Sequence, residues 1–150
     1  NLQVSIIQYN ENGDKVLLTI NSKELVRHGW KSNTSNLPSA YLVGFLLGRS
    51  AIKKGINEAV LDIGFYKSTK GSRLYAALAG ALDAGLKIPH STEILPSIER
   101  IEGYHIVKYA ELLRKDVSKY NKHFSNYIQK GLNPEDIVKH FNDIKGKIND

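Results

Sequence analysis

The stretch LDIGFYKSTKGSRLYAAL, Leu61 to Leu78, reads as the end of an apolar strand, a short basic loop and the start of a helix. Extended backwards, EAVLDI (Glu58 to Ile63) is a nearly continuous apolar run, the pattern of a parallel strand buried on both faces. Ser72 is placed to cap the helix RLYAALAGALDA (Arg73 to Ala84), which Gly85 ends. LKIP (Leu86 to Pro89) follows as a short strand. Strand, helix and strand in that order predict a parallel α/β unit.

Upstream, LQVSIIQY (Leu2 to Tyr9) places Leu2, Val4 and Ile6 on one face, and KVLLTI (Lys15 to Ile20) places Val16, Leu18 and Ile20 on one face. Asn12-Gly13 between them is a hairpin signal, because both residues tolerate positive φ. Ser22 is placed to cap a short helix, KELVRH, stopped by Gly29, and WKSNTS is a polar loop. Asn36 followed by Pro38 starts a helix that runs to about Lys54 and stops at Gly55. That helix is apolar on most sides and carries Gly44 and Gly48 four apart, which predicts close packing on a sheet. The order from Lys15 is β–α–β–α–β, opened by an antiparallel hairpin.

After Pro89 the pattern turns helical. From Pro96 to Gln129 an inward stripe of Ile101, Ile106, Tyr109, Leu112 and Leu113 is expected. NPEDIVKHF (Asn133 to Phe141) restarts a helix with cap, proline and first-turn acids in order. The reading is an α/β core over 1–95 and a helical extension over 96–150 packed on the same domain.

At 150 residues the chain can bury roughly 68–70% of its unfolded surface. It has no cysteine, which removes disulfides, thiolate metal sites and cysteine nucleophiles and fits a reducing cytosol. With no methionine at all, position 1 is expected to follow processing or to lie inside a longer chain. No secretory signal is visible, and the longest apolar run, AYLVGFLLG (Ala40 to Gly48), is far short of the ~20 residues of a membrane span. The net charge of +6 is concentrated: residues 22–73 carry nine basic against three acidic residues, while the rest of the chain is nearly balanced. A localised basic field points to a polyanionic partner.

The loop GFYKSTKGSR supplies Lys67, Lys70 and Arg73, the hydroxyls of Ser68, Thr69 and Ser72, and Gly71 before a helix N-terminus, where N–H groups and the dipole favour anions. It is not a nucleotide P-loop, since Lys70 precedes Gly71 and no lysine follows it. A nucleotide phosphate, a nucleic-acid backbone and plain solvation all remain readings of it. Trp30-Lys31 in a polar loop suits a base stack with a phosphate contact, or a tryptophan closing the core edge. Lys53-Lys54 joins the basic set, or complements a helix dipole. The five histidines show no metal spacing and no Gly-x-Ser-x-Gly occurs. Asp62 lacks the partner carboxylates of a two-metal nuclease and reads as loop-orienting. Tyr104, Tyr109, Tyr120 and Tyr127 have core spacing, with a partner surface or RNA groove as the other reading.

SKELVRHGWK, NLPSAYLVGFLLG, KKGINEAVLDIG, TKGSRLYAALAGALDAGLKIPHS and ERIEGYHI, taken in order, resemble the large-subunit ribosomal protein L-eighteen family of archaeal type, whose eukaryotic counterpart is called L-five. The resemblance implies a three-layer α/β/α domain with a mixed sheet, related in topology to ribonuclease H but without nuclease activity. It implies a cytoplasmic ribosomal protein that binds 5S rRNA in the central protuberance, with contacts to the large rRNA and to a neighbouring 5S-binding ribosomal protein. The family's 5S-binding loop maps onto Lys67, Ser68, Thr69, Lys70, Gly71, Ser72 and Arg73, and the segment before the long helix onto Trp30, Lys31 and Asn36. Family members usually begin with a basic arm and a strand that pairs with Leu2–Tyr9; this sequence shows neither.

The expected function is therefore structural RNA binding, with no catalytic residue, cofactor, metal, membrane or small-molecule substrate. The rivals are a ribonuclease H-like nuclease or phosphate-binding hydrolase using the 64–73 loop, and a protein-interaction module built on the tail helices.

Overall fold

The computed structural model describes residues 1–149 and sets a β-hairpin against a helical body. Strand β1 (Gln3–Gln8) pairs antiparallel with β2 (Lys15–Asn21). Gly13 makes the turn with φ of +119°, and its N–H donates to the Asn10 carbonyl at 2.9 Å. Val4 lies opposite Ile20 and Ile6 opposite Leu18, and these four pack on the core. The register then shifts so that Ile7 pairs with Val16. Alternation slips at this bulge, and Val16, expected inward, is exposed beside Ile7.

Asn21, not Ser22, caps the 3-10 helix Ser22–Val26: its carboxamide accepts the Lys23 N–H at 2.9 Å while Glu24 accepts the Asn21 N–H at 2.8 Å. Ser22 is buried instead, its Oγ accepting the Leu2 N–H at 3.0 Å.

Helix α1 (Leu37–Lys53) starts where Asn36 and Pro38 predict, with Asn36 Oδ1 accepting the Ser39 N–H at 3.0 Å. Helix α2 (Arg73–Asp83) lies directly on it. A Cβ on Gly44 would overlap the Ala77 carbonyl, one on Gly80 the Tyr41 carbonyl, and one on Gly48 would come within 2.6 Å of Ala84 Cβ. The glycine pair of α1 therefore serves contact with a helix rather than a sheet. Because Gly44 meets Ala77 and Gly48 meets Ala81 and Ala84, the two helices run in the same sense and begin at the same end.

The expected three-layer sheet is not formed among the described residues. The only sheet among the described residues is β1–β2, and the runs 58–63 and 86–89 reduce to one parallel bridge between Glu58 and Lys87. Ala59 N–H reaches the Lys87 carbonyl at 3.0 Å and Lys87 N–H the Asn57 carbonyl at 2.9 Å. A parallel strand is buried only when neighbours cover it. Here the other side of 61–64 faces a groove of ≈ 390 Å³, across which lies β1. Val60 is 84% exposed and Phe65 fully so. The architecture is thus mixed α/β, with a small sheet.

The last third forms α3 (Ile98–Glu102), α4 (Tyr104–Leu113), α5 (Val117–His123), α6 (Ser125–Gln129) and, after a 3-10 turn at Pro134–Asp136, α7 (Ile137–Asn149). Gly103, at φ +97°, breaks α3 from α4. The stripe expected here is only partly inward: Ile101 is buried, while Tyr109 and Leu112 are exposed because the successive breaks reset the helical face. In α7, Ile137, Phe141, Ile144 and Ile148 are buried at helical spacing, each worth about 1.5–3 kcal/mol. Phe141 meets Tyr41 with ring centroids 5.4 Å apart, and the Tyr41 hydroxyl donates to Asp83 at 2.5 Å. One tyrosine so joins α1, α2 and α7. No helix among the described residues is long and apolar enough to cross a membrane.

Gly44→Ala and Gly80→Ala should each destabilise the fold by roughly 3 kcal/mol or more, since backbone must move to admit the methyl. Gly146→Ala, in α7 with nothing within 4 Å, should stabilise by about 0.5–1 kcal/mol. Urea denaturation measures all three, and equal effects would show that the crossing does not depend on backbone contact.

Candidate nucleic-acid interface

The shared direction of α1 and α2 brings their N-termini, and the loops before them, to one end of the molecule. The loop 64–72 turns on two glycines of positive φ, Gly64 at +57° and Gly71 at +66°. Asp62 Oδ1 accepts the Gly64 N–H at 2.7 Å, the loop-orienting role expected of it. The Ser68 hydroxyl bonds the Tyr75 hydroxyl, tying the loop to the first turn of α2. Gly71 N–H donates to the Ile94 carbonyl at 2.9 Å, so the 3-10 turn Thr92–Ile94 braces the loop from outside. Ser72 N–H closes onto the Thr69 carbonyl at 3.2 Å.

The cations fall into distinct states. Lys67 is exposed and has no acid partner among the described residues. Lys70 pairs with Glu93 at 3.3 Å with both side chains exposed, a contact worth at most about 1 kcal/mol that competes little with a phosphate. Arg73 donates to the Ser35 carbonyl at 2.8 Å, joining this loop to the polar loop before α1. Lys31, in that second loop, is exposed. Beside the first loop a cavity of ≈ 430 Å³ is lined by Lys67, Ser72, Arg73 and the N-terminal residues Asn1 and Leu2. Ser72 stands at the N-cap of α2 but makes no capping bond, and its Oγ is buried without a partner. Uncapped N–H groups, a free hydroxyl and nearby cations are the groups that favour an anion.

Other predicted residues are placed differently. Trp30 is corrected: it is only 2% exposed, its Nε1–H donates to the Asn33 carbonyl at 3.2 Å, and its ring stacks on His140 at 5.1 Å. Its face is taken by the protein, so it cannot stack on a base. Asn36 is likewise occupied, capping α1 and donating to Ser32 Oγ at 3.0 Å and to the Tyr127 hydroxyl at 3.3 Å. Lys53 and Lys54 lie at the far end of α1, roughly 25 Å from its start, and Lys54 Nζ donates to the Leu17 carbonyl at 3.2 Å. They do not join the loop 67–73. Nothing in the local pattern marked Ser35, Ile94 and His140, which hold the loops from 23 to 109 positions away, or Tyr75, which bonds Ser68 from the first turn of α2. Among the described residues no group of His, Asp and Glu could hold a metal.

The sequence matches the profile of a family described as ribosomal large subunit proteins 60S L5, and 50S L18, over residues 1–58 and 53–91. It is also 49% identical, over 148 residues, to the large ribosomal subunit protein uL18 of Methanococcus maripaludis, covering 99% of this chain and 77% of that protein. The chain belongs to this family. The profile covers the hairpin, both packed helices and the basic loop, while the likeness to the archaeal protein extends through the C-terminal helices as well.

His140 couples this end to α7. Its Nε2 accepts the Lys31 N–H at 3.0 Å and must be unprotonated to do so. Burial, then the charge of Lys31 and that of Lys147, hold its pKa below the ordinary histidine value, against an opposite pull from Asp143. His105 is shifted down as well, by burial and Arg100. A lowered folded pKa means that the unfolded chain binds more protons near pH 6, so this stability is present above about 6.5 and lost on acidification. Thermal melts should be flat above that pH and decline as the pH falls below it, with a smaller decline in His140→Gln. An identical profile in the variant would remove His140 as the source.

Proposed function

We propose that this chain is a non-catalytic constituent of the large ribosomal subunit that binds 5S rRNA with the end of the molecule holding Lys31, Lys67, Lys70 and Arg73. The observation that carries the reading is the Arg73–Ser35 bond, which fuses the basic loop and the polar loop into one surface at the start of two parallel helices. Such a surface grips phosphates and 2′-hydroxyls and follows RNA shape; it does not read a base sequence. Ser68, Thr69 and Gly71 shape the loop, and Ser72 offers its free hydroxyl and N–H end to a phosphate. Membership of a ribosomal protein family excludes the nuclease and hydrolase rivals, and Asp62 is engaged with Gly64 rather than with other acids.

Attachment to the large rRNA and to a neighbouring 5S-binding ribosomal protein belongs to the same reading, with 1–95 as the gripping core and 96–150 as its extension. So does the full three-layer, ribonuclease H-like sheet. The unpaired edge of β1 and residues 61–63 face each other across the apolar groove, a gap that another extended strand would bridge.

Replacing Lys67, Lys70 and Arg73 together with alanine should weaken 5S rRNA binding and lower the slope of log K against log salt by roughly 2. Lys53→Ala with Lys54→Ala, at the other end of α1, should leave the slope nearly unchanged. Filter binding at several salt concentrations measures both, and an unaltered slope in the triple variant would exclude the loop from the interface.

A further inference from the structure

The helical extension carries a second pocket, which the basic loop does not touch. Phe124 is its floor, 3% exposed. Tyr109 and Tyr127 stand edge-on to Phe124, with ring centroids at 6.3 Å and 5.6 Å. Asn33 and Asn36, from the loop before α1, complete a cavity of ≈ 590 Å³. Tyr109 and His123 pack edge to face at 4.9 Å and also wall an adjoining cavity of ≈ 440 Å³ whose rim carries Lys119 and Lys122.

The chemistry of this double pocket is specific. Asn33 Oδ1 accepts both the N–H and the hydroxyl of Ser35, at 2.8 Å and 2.7 Å, which fixes the amide and leaves its Nδ2 donor without a partner. Tyr109 is 45% exposed although it is aromatic and half-packed. Lys119 pairs with Asp116 at 3.0 Å, whereas Lys122 has no acid partner among the described residues. No carboxylate lines either cavity. Aromatic walls free of carboxylates, one oriented amide donor and an unpaired Lys122 on the rim suit a nucleotide, with base and phosphate on the two sides of the Tyr109–His123 wall. The pocket is also continuous with the proposed RNA face, since Asn33 and Asn36 flank the Ser35 carbonyl that Arg73 holds.

We propose that this pocket holds one unstacked base of 5S rRNA against Tyr109 and His123, with Asn33 Nδ2 donating to its edge and Lys122 meeting the adjoining phosphate. The proposal rests on the RNA-binding reading above and adds a base-specific contact to a grip that otherwise follows only the backbone.

The test is chemical probing of 5S rRNA bound to the full chain, with affinities measured alongside. One base protected by the native protein should become reactive with Tyr109→Leu, at roughly tenfold weaker binding and an unchanged salt slope. Tyr109→Phe should keep the protection, because it keeps the ring. Lys122→Ala, on an exposed side chain, should reduce the salt slope by about one without unfolding risk. Protection elsewhere on the RNA, from the loop 67–73, should persist in all three variants, which separates failure of this pocket from failure of the RNA-binding reading. If the footprint is the same in the native protein and Tyr109→Leu, and Lys122→Ala leaves the slope unmoved, the pocket does not bind 5S rRNA. Loss of a protein contact in the assembled subunit with the RNA footprint intact would likewise overturn the proposal.

Discussion

Everything at the proposed RNA face depends on how closely α1 and α2 approach. Gly44, Gly48 and Gly80 remove the side chains that would otherwise hold the two backbones apart, so the helices touch along a line of glycine and alanine. Close contact fixes their relative rotation as well as their distance, because interiors of this density admit few alternatives. The shared direction then follows through to the loops. The turn before α1 and the turn before α2 come out at the same end, near enough for Arg73 to reach a carbonyl of the other loop. A surface built on two helix starts in this way carries two dipoles of the same sign, besides its lysines.

The loops themselves are held by few but varied contacts. Gly71 hangs on Ile94, Ser68 on Tyr75, and Lys31 on His140, each from a different part of the chain. Trp30 anchors its loop by being buried, which leaves Lys31 beside it to face solvent. The division suits a protein that must hold its backbone still while its charged side chains adapt to a folded RNA. Exposed ion pairs such as Lys70–Glu93 hold little free energy and give way readily.

What the sequence revealed, and what it hid, follow from the range of the interactions. Asn12-Gly13, Asn36 with Pro38, and Gly85 act within a few residues, and the hairpin, α1 and the end of α2 fall where they indicate. The run 58–63 shows the composition of a buried strand, but composition says nothing about whether neighbours exist to bury it. Val16 changes face because of one bulge, which leaves no trace in the apolar pattern. Trp30 could be read as a base stacker or as closing the core edge, and the sequence could not choose because its partner, His140, lies near the other end of the chain. The concentration of positive charge over 22–73 was legible, yet it merges two places: Lys53 and Lys54 share the segment with Lys67 but are separated from it by the length of a helix. The pocket around Phe124 was the least legible, since helical spacing alone cannot tell an aromatic core from an aromatic cavity.

The bond between Lys31 and His140 links residues 109 positions apart, and that separation has a temporal meaning. A growing polypeptide emerges in order, so the loop before α1 is made long before the helix that completes it. Until α7 has been synthesised and has docked, Trp30 has no ring to lie on and the Lys31 amide has no acceptor. Completion of the loop before α1 therefore waits for the last helix of the described chain to be made and docked.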